Sequence, residues 1–390
     1  MRRAPAAYDG IVVCAPITVP YVRFSNETAH WFAGRALRQL RDTAGFGPRD
    51  IDGFCFASFS AGPDTAVGLT QHLGLTPRWL DHLPTGGASG VMALRRAARA
   101  VQCGDAETVV CLAADTNAID SFRHSLAGFS RFSQDAVYPY GFGGPNATFA
   151  LITDAYMRAF GVTREDFGKL CVAQRANAAS NPLALQRKNL SLDEYLAARP
   201  IADPVHLYDC VMPCAGAEAF IVTTPEIAAK RGLPAASVLA TIERHNAFPE
   251  DPVQLRGGWE MDIGTFWDAA GIGPADVDTL QVYDDYPVIV AMQLQDLGFC
   301  EKGRVAELIR RTRFDINGDL PLNTNGGQLS AGQAGAAGGF QNVTEALRQI
   351  TCQPLGDQVP DAAIAVVSGF GLVNYDRGIC TGAAALKALR

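Results

Sequence analysis

AGFGPRDIDGFCF at residues 44–56 is echoed by AGIGPADVDTLQV at residues 270–282. Each copy reads Ala-Gly-x-Gly-Pro-x-Asp, then Ile or Val, then Asp, and runs into an apolar stretch. The Gly-Pro pair stops a helix, and the apolar run after it predicts a strand. Further along, Gly87-Ala88-Ser89-Gly90 is matched by Gly335-Ala336-Ala337-Gly338, each at the start of a helix-like stretch. Two similar halves bring equivalent loops together across a pseudo-two-fold axis, and repetition on this scale takes precedence over any local motif.

Outward from the repeat, strands and helices alternate. The first half predicts a strand at 10–15, a helix at 30–43, a strand at 51–57, a glycine-rich turn at 86–90, a helix at 91–103 and a strand at 108–114. That last strand, TVVCLAA, is nearly all apolar, as burial on both faces requires. The second half predicts a helix at 262–270, a strand at 279–284, a helix at 287–297, a loop at 321–334, a helix at 338–350 and a strand at 362–368. The alternation indicates an α/β fold with parallel sheets covered by helices. Residues 116–218 interrupt it with a run of aromatics (Phe122, Phe129, Phe132, Tyr138, Tyr140, Phe142) and helices near 147–160 and 164–180. The expected organisation is an N-terminal half at 1–115, an inserted loop domain at 116–218, completion of the N-terminal half at 219–248, and a C-terminal half at 249–390.

The 390 residues, 48% hydrophobic and 19% charged, supply an ample core. A net charge of −7 without a Lys/Arg run argues against a nucleic-acid partner. No apolar stretch reaches the roughly 20 residues that span a bilayer, and nothing after Met1-Arg2-Arg3 reads as a secretory signal. The ten scattered cysteines then read as reduced thiols of a cytoplasmic protein.

Three stretches carry chemistry. Gly86-Gly87-Ala88-Ser89-Gly90 opens a helix with small residues, which let backbone N–H groups approach an oxyanion; a tight helix start packed on a neighbour is the alternative. Residues 323–338, NTNGGQLSAGQAGAAG, interleave small residues with amides as a site-wrapping loop or a close interface does. Tyr283-Asp284-Asp285-Tyr286 ends a strand and precedes Pro287, where α/β sites gather. A tyrosine, with a reference pKa of about 10, is a proton donor at neutral pH, while either aspartate could instead cap the next helix. None of the six histidines lies beyond His245, so the second half offers no imidazole base. His206, Cys210 and Cys214 match no zinc spacing, and no metal is expected.

GGASGVMALRRAARAVQCGDAETVV (86–110), YDDYPVIVAMQLQDLGFCEKG (283–303) and LPLNTNGGQLSAGQAGAAG (320–338), with the duplicated halves, resemble the thiolase superfamily, and within it the sterol-carrier/lipid-transfer thiolase-like branch. The resemblance implies a five-layer α-β-α-β-α core with an inserted loop domain, and a homodimer. It also implies where the chain departs from thiolases that make or break 3-ketoacyl-CoA. Their nucleophilic cysteine falls at Gly87, their catalytic histidine at Gln333, and their second reactive cysteine near Ser368. The chain is more similar to the steroid side-chain-cleaving aldolases, which also lack the cysteine. These split a β-hydroxyacyl-CoA with tyrosines and work with a small OB-fold/zinc-ribbon partner, here implying a heterotetramer. One of their tyrosines maps to Tyr283; the other falls at Gln333.

On this resemblance the substrate is an acyl-CoA thioester, with CoA as part of the substrate and no covalently bound cofactor. Tyr283 is expected to move the proton, oriented by Asp284, with Gln333 polarising the substrate. The oxyanion and substrate contacts are expected from Gly87, Ala88, Ser89, Gly335 and Asn325, with Tyr286 or Tyr375 standing in for the second tyrosine. Two other readings stay open: acyl transfer on Ser89 or Cys380, and a non-catalytic acyl-CoA-binding scaffold.

Overall fold

A computed structural model describes residues 7–119, 131–141 and 144–389; Phe122, Phe129 and Phe142 lie outside the described residues. In the first half come β1 (Val12–Val22), α1 (Ala29–Ala44), β2 (Gly53–Ala57), α2 (Ala66–Leu73), β3 (Trp79–His82), α3 (Ser89–Cys103) and β4 (Val109–Asp115). Then follow α4 (Arg131–Ala136), α5 (Gly144–Phe160), α6 (Arg164–Ala178), α7 (Leu192–Leu196) and a small hairpin of β5 (Pro200–Ala202) and β6 (Val205–His206). The main sheet resumes with β7 (Ala215–Thr223), α8 (Pro225–Lys230), β8 (Ala235–His245), α9 (Trp259–Ala270) and β9 (Thr279–Gln281). Last come α10 (Pro287–Asp296), α11 (Val305–Arg311), α12 (Gly327–Ala331), α13 (Ala337–Ile350), β10 (Ile364–Asn374) and β11 (Arg377–Ala388).

The repeat is built the same way twice. Helices α1 and α9 both end on a left-handed glycine, Gly45 at φ 68° and Gly271 at φ 65°. Two residues later Gly47 and Gly273 donate their N–H groups to the carboxylates of Asp50 and Asp276, at 2.7 and 2.8 Å. The chain then enters β2 or β9. A left-handed C-cap and an acidic cap three residues on are what that local sequence encodes.

The strand order is β3-β2-β4-β7-β1-β8-β11-β10-β9. Each half repeats one plan: β1 pairs antiparallel with β7, β7 antiparallel with β4, β4 parallel with β2, and β2 parallel with β3. In the second half β8, β11, β10 and β9 take the places of β1, β7, β4 and β2, and Leu322 bridging Leu280 takes that of β3. The halves meet where β1 pairs with β8 over only Val12, Val13 and Cys14. Helices α3 and α13 lie between the halves, while α1 covers the outer face of one and α9 that of the other. The layers are those of the thiolase-like α/β fold expected from the sequence.

The expectation of parallel sheets is corrected: each half is mixed. Strand β7 returns after the long segment following β4, so no single crossover helix forces it parallel. Strands β8 and β11 went unread. GICTGAAALKA in β11 is rich in Ala and Gly, which have low strand propensity, and burial between β8 and β10 overrides that preference.

At the seam, α3 and α13 touch backbone to backbone. A Cβ at Gly90 would lie 2.1 Å from the Gly339 carbonyl oxygen, and one at Gly339 would lie 2.4 Å from that of Gly87. The small-residue starts of the two helices are thus a steric requirement. Beside them Glu218 of β7 is buried and accepts hydrogen bonds from Thr18, Tyr21 and Thr344, at 2.9, 2.9 and 2.7 Å. Burial pushes its carboxyl up from 4.5 to about 7, against the pull of Arg348 and these hydroxyls. The folded state therefore holds this proton more tightly than the unfolded chain. The resulting stabilisation is present below about pH 4.5 and is lost as pH rises through about 7. Urea unfolding of Glu218→Gln and wild type should show their difference changing by roughly 3 kcal/mol across that window. A pH-independent difference would show that Glu218 does not titrate there.

Candidate active site

Strand β9 stops at Gln281, three residues earlier than its sequence suggests, because side chains replace the strand partner. The Asn323 side-chain oxygen accepts the Val282 N–H at 2.8 Å. Gln293 of α10 brackets the Tyr283 peptide: its Oε1 accepts the Tyr283 N–H at 3.2 Å and its Nε2 donates to the Tyr283 carbonyl at 2.6 Å. Ser368 of β10 donates to the same Gln293 Oε1 at 2.5 Å. Ser368, expected from the resemblance near the second thiolase cysteine, here holds the amide that holds Tyr283.

The Tyr283 ring is seated against Gly87. A Cβ on Gly87 would lie 2.0 Å from Tyr283 Cε2 and Cζ and 2.4 Å from the Phe370 carbonyl oxygen. Ordinary carbon–carbon contact needs about 3.5–4 Å. The tyrosine occupies the space that any side chain at 87 would need. In the same turn Ala88 and Ser89 donate their N–H groups to the carbonyls of Thr85 and Gly86, while Gly87 is the residue Tyr283 covers.

Two polar groups, Gln333 and Asp285, lie at the phenol. Gln333 Nε2 donates to the Tyr283 hydroxyl oxygen at 3.1 Å and, by a short hydrogen bond, to Asp285 Oδ1. The Gln333 amide thereby bridges the Tyr283 hydroxyl and the Asp285 carboxyl and holds them side by side. Gln333 is held by backbone pairing with the segment before β7: its N–H donates to the Met212 carbonyl and its carbonyl accepts the Cys214 N–H, both at 2.9 Å. Burial pushes the Tyr283 phenol well above its ordinary value, and neighbouring Asp285 adds to the rise. Burial also pushes the Asp285 carboxyl up to about 8, with the Asp284 charge adding and the Tyr283 hydroxyl beside it opposing.

Asp284 plays a different part from the one its sequence position suggests. It does not orient Tyr283. Its oxygens accept the N–H groups of Gln328 and Leu329 at 2.9 and 3.1 Å, at the start of α12. The Tyr283 contact belongs to Asp285. One step along the chain turns an extended side chain to the opposite side, so only one of two adjacent aspartates can face the phenol.

The remaining candidates divide. Gly335, at φ 52°, is packed against the Asp115 carboxyl, which also accepts the Ala336 N–H at 2.7 Å. Asp115 is held by Ser58 and Ser60 as well, so a carboxyl of the chain already sits at the Gly335 turn. At the turn where a second oxyanion donor was expected, the Ala336 N–H is thus already taken by Asp115. Ser89 is fully buried and shares a hydrogen bond with Thr85 at 3.0 Å, with no base beside it. Asn325 shapes its own loop, its side chain accepting the Gly327 N–H and its carbonyl the Asn181 amide. Tyr286 donates to Asn146 at 2.5 Å and stacks on Phe149. Tyr375 sits at the β10–β11 turn, 42% exposed, edge-on to Phe132, with no hydrogen bond to Tyr283 or Gln333. Neither tyrosine hydrogen-bonds to Tyr283 or Gln333.

Asp285 and Gln293 went unassigned in the sequence. Asp285 looked interchangeable with Asp284. Gln293 had a signal, as a buried amide directly after the apolar run PVIVAM, since such a group needs a partner. All ten cysteines are free. Among the described residues no group of three or more His, Cys, Asp or Glu side chains is arranged to hold a metal ion, and no helix is long and apolar enough to cross a membrane.

Comparison with known proteins identifies the family and the fold. Residues 265–380 match the family described as thiolase C-terminal domain-like. The chain is 30% identical over 360 residues to the 17-hydroxy-3-oxo-4-pregnene-20-carboxyl-CoA lyase of Mycobacterium tuberculosis, covering 87% of this chain and 91% of the relative. It is 29% identical over 346 residues to the steroid side-chain-cleaving aldolase of Thermomonospora curvata, covering 84% and 87%. The solved structure named Ltp2-ChsH2(DUF35) aldolase superposes with a TM-score of 0.83 at 24% identity, covering 97% of this chain and 98% of that one, and shows the shared fold.

Proposed function

Since the chain belongs to the thiolase superfamily, in its sterol-carrier/lipid-transfer thiolase-like branch, we propose that it cleaves the Cα–Cβ bond of a β-hydroxyacyl-CoA by retro-aldol chemistry. The observation that supports the reading is the Tyr283 ring against Gly87, the position at which the family resemblance puts a thiolase's nucleophilic cysteine. In this reaction the β-hydroxyl gives up its proton, the Cα–Cβ electron pair moves to the thioester as an enolate, and a ketone or aldehyde leaves. Cα is then protonated to give the shorter acyl-CoA. No nucleophile is consumed; the need is for proton transfer and for donors at the enolate oxygen. Tyr283 and Gln333 meet the first need, and the Gly87 N–H in the turn before α3 is our choice for the second.

Two relatives are named for steroid substrates, and we extend that class to this chain: an apolar, ring-bearing acyl group. Exposed Phe132 and Tyr140, with Tyr375, offer it an apolar surface. The reading includes a homodimer in the cytoplasm and, from the family resemblance, a small OB-fold/zinc-ribbon partner completing a heterotetramer. The test is to incubate the chain, alone and with such a partner, with β-hydroxyacyl-CoA esters and to follow carbonyl release. Release without an acyl-enzyme in the mass spectrum is expected. No release from any ester, with or without partner, would leave an acyl-CoA-binding scaffold.

One observation favours a second reading, acyl transfer on Cys380. His245 Nδ1 lies 3.3 Å from Cys380 Sγ, and His245 Nε2 lies 2.8 Å from Glu243. Against it, burial pushes the Cys380 thiol up, away from the thiolate a nucleophile needs. An acyl group trapped on Cys380 would reverse the order of the two readings.

A further inference from the structure

The phenol poses a chemical problem. Burial and a neighbouring carboxyl both oppose its ionisation, so a free Tyr283 phenolate is a poor resting base. The structure supplies a way round it. Gln333 Nε2 donates to both Tyr283 Oη and Asp285 Oδ1, and so holds the phenol and the carboxyl side by side. Gln333 is an amide that neither takes nor gives a proton at neutral pH. Its two hydrogens go to Tyr283 Oη and Asp285 Oδ1, which fixes both acceptors and leaves the Tyr283 hydroxyl hydrogen free to point at the carboxylate. Asp285 is the one carboxyl in this cluster with no structural duty: Asp284 caps α12 and Asp115 caps α13.

We infer that Asp285 is the proton acceptor of the reaction and that Tyr283 is the relay that reaches it. The inference rests on the retro-aldol reading and names the group that does the work of the absent second tyrosine. As the β-hydroxyl hydrogen passes to Tyr283 Oη, the Tyr283 hydrogen passes to Asp285 Oδ. The substrate O–H bond and the Tyr283 O–H bond break, and one new O–H bond forms on each of Tyr283 and Asp285. The electron pair left on the β-oxygen becomes the carbonyl π bond as Cα–Cβ breaks, and the thioester takes the pair as an enolate. Reversal of the relay returns the proton from Asp285 through Tyr283 to Cα. The enzyme ends as it began, and no phenolate accumulates.

The groups facing Asp285 are Tyr283 and Asp284 on its own segment, Tyr286 at the start of α10, Gln333 from the loop before α13, and Cys210 from the segment before β7. None of these is a cation, so nothing holds the carboxyl ionised at low pH. With the carboxyl pushed up to about 8, only its ionised fraction can accept the proton. The rate should therefore rise about tenfold per pH unit up to near pH 8 and level above it.

The experiment measures kcat at saturating ester from about pH 6 to pH 9 for wild type, Asp285→Asn and Asp285→Glu, with ester affinity measured alongside. Wild type should climb with a slope of one. Asp285→Asn should lose about 100-fold or more of kcat at high pH and its pH slope, while binding the ester within a few-fold. Asp285→Glu, which keeps the carboxyl, should regain the slope, a result that a purely structural role would not produce. A flat wild-type profile, or wild-type kcat in Asp285→Asn, overturns this assignment and leaves retro-aldol cleavage standing. A chain that releases no carbonyl product overturns both.

Discussion

Tyr283→Phe should lower retro-aldol turnover by about 100- to 10,000-fold, the usual contribution of a positioned proton-transfer group. The substitution keeps the ring that fills the space beside Gly87. Packing at the seam and the bracket of Gln293 around the Tyr283 peptide are therefore preserved. What disappears is one hydroxyl, and with it the link between substrate and Asp285. Gln333 keeps its hydrogen bond to Asp285, so the loop carrying it should stay in place. Affinity for the CoA ester should change only a few-fold, because kcat falls when an interaction acts in the transition state alone. Stopped-flow detection of the carbonyl product, with ester binding by calorimetry, separates the two quantities. Wild-type turnover in this variant would remove Tyr283 from the chemistry and with it the relay to Asp285.

Gly87→Cys restores the residue type that thiolases use at this position, and it should yield no thiolase. The new Cβ would lie 2.0 Å from two ring atoms of Tyr283 and 2.4 Å from the carbonyl oxygen of Phe370. A ring can be pushed aside, but the carbonyl of a residue in a strand paired along its length with β11 moves only with that strand. Overpacking of this kind costs typically about 1–3 kcal/mol and more where backbone must shift. The expected results are a lower thermal midpoint, loss of carbonyl release, and no acyl-cysteine in the mass spectrum. Adding Tyr283→Ala should recover only part of the stability, because the Phe370 clash remains. A Gly87→Cys protein as stable as wild type that captured an acyl group would show that the ring does not hold this space.

The repeat at 44–56 and 270–282 was legible because its signals are local. A glycine that caps a helix in the left-handed region, and an aspartate that caps the next turn, act within a few residues. The apolar strands β2 and β4 were legible for the same reason. Tyr283 and Gln333 were singled out by residue type and family pattern, and the structure joins them by a hydrogen bond. The error over Asp284 has a plain cause. Adjacent aspartates carry the same local chemistry, and which one faces the phenol depends on where α12 begins, some forty residues away.

Local chemistry alone specified the twin halves, the glycine turns and the tyrosine at a strand end, since each is governed by backbone preference over a few positions. Assembly decided everything that depends on two distant segments meeting. It set β7 antiparallel, made strands of Ala- and Gly-rich β11, filled the Gly335 turn with Asp115, and pressed the Tyr283 ring onto Gly87. The physical reason is that burial and close approach are properties of pairs of segments. No window along the chain records which ring will occupy the space left by a missing side chain.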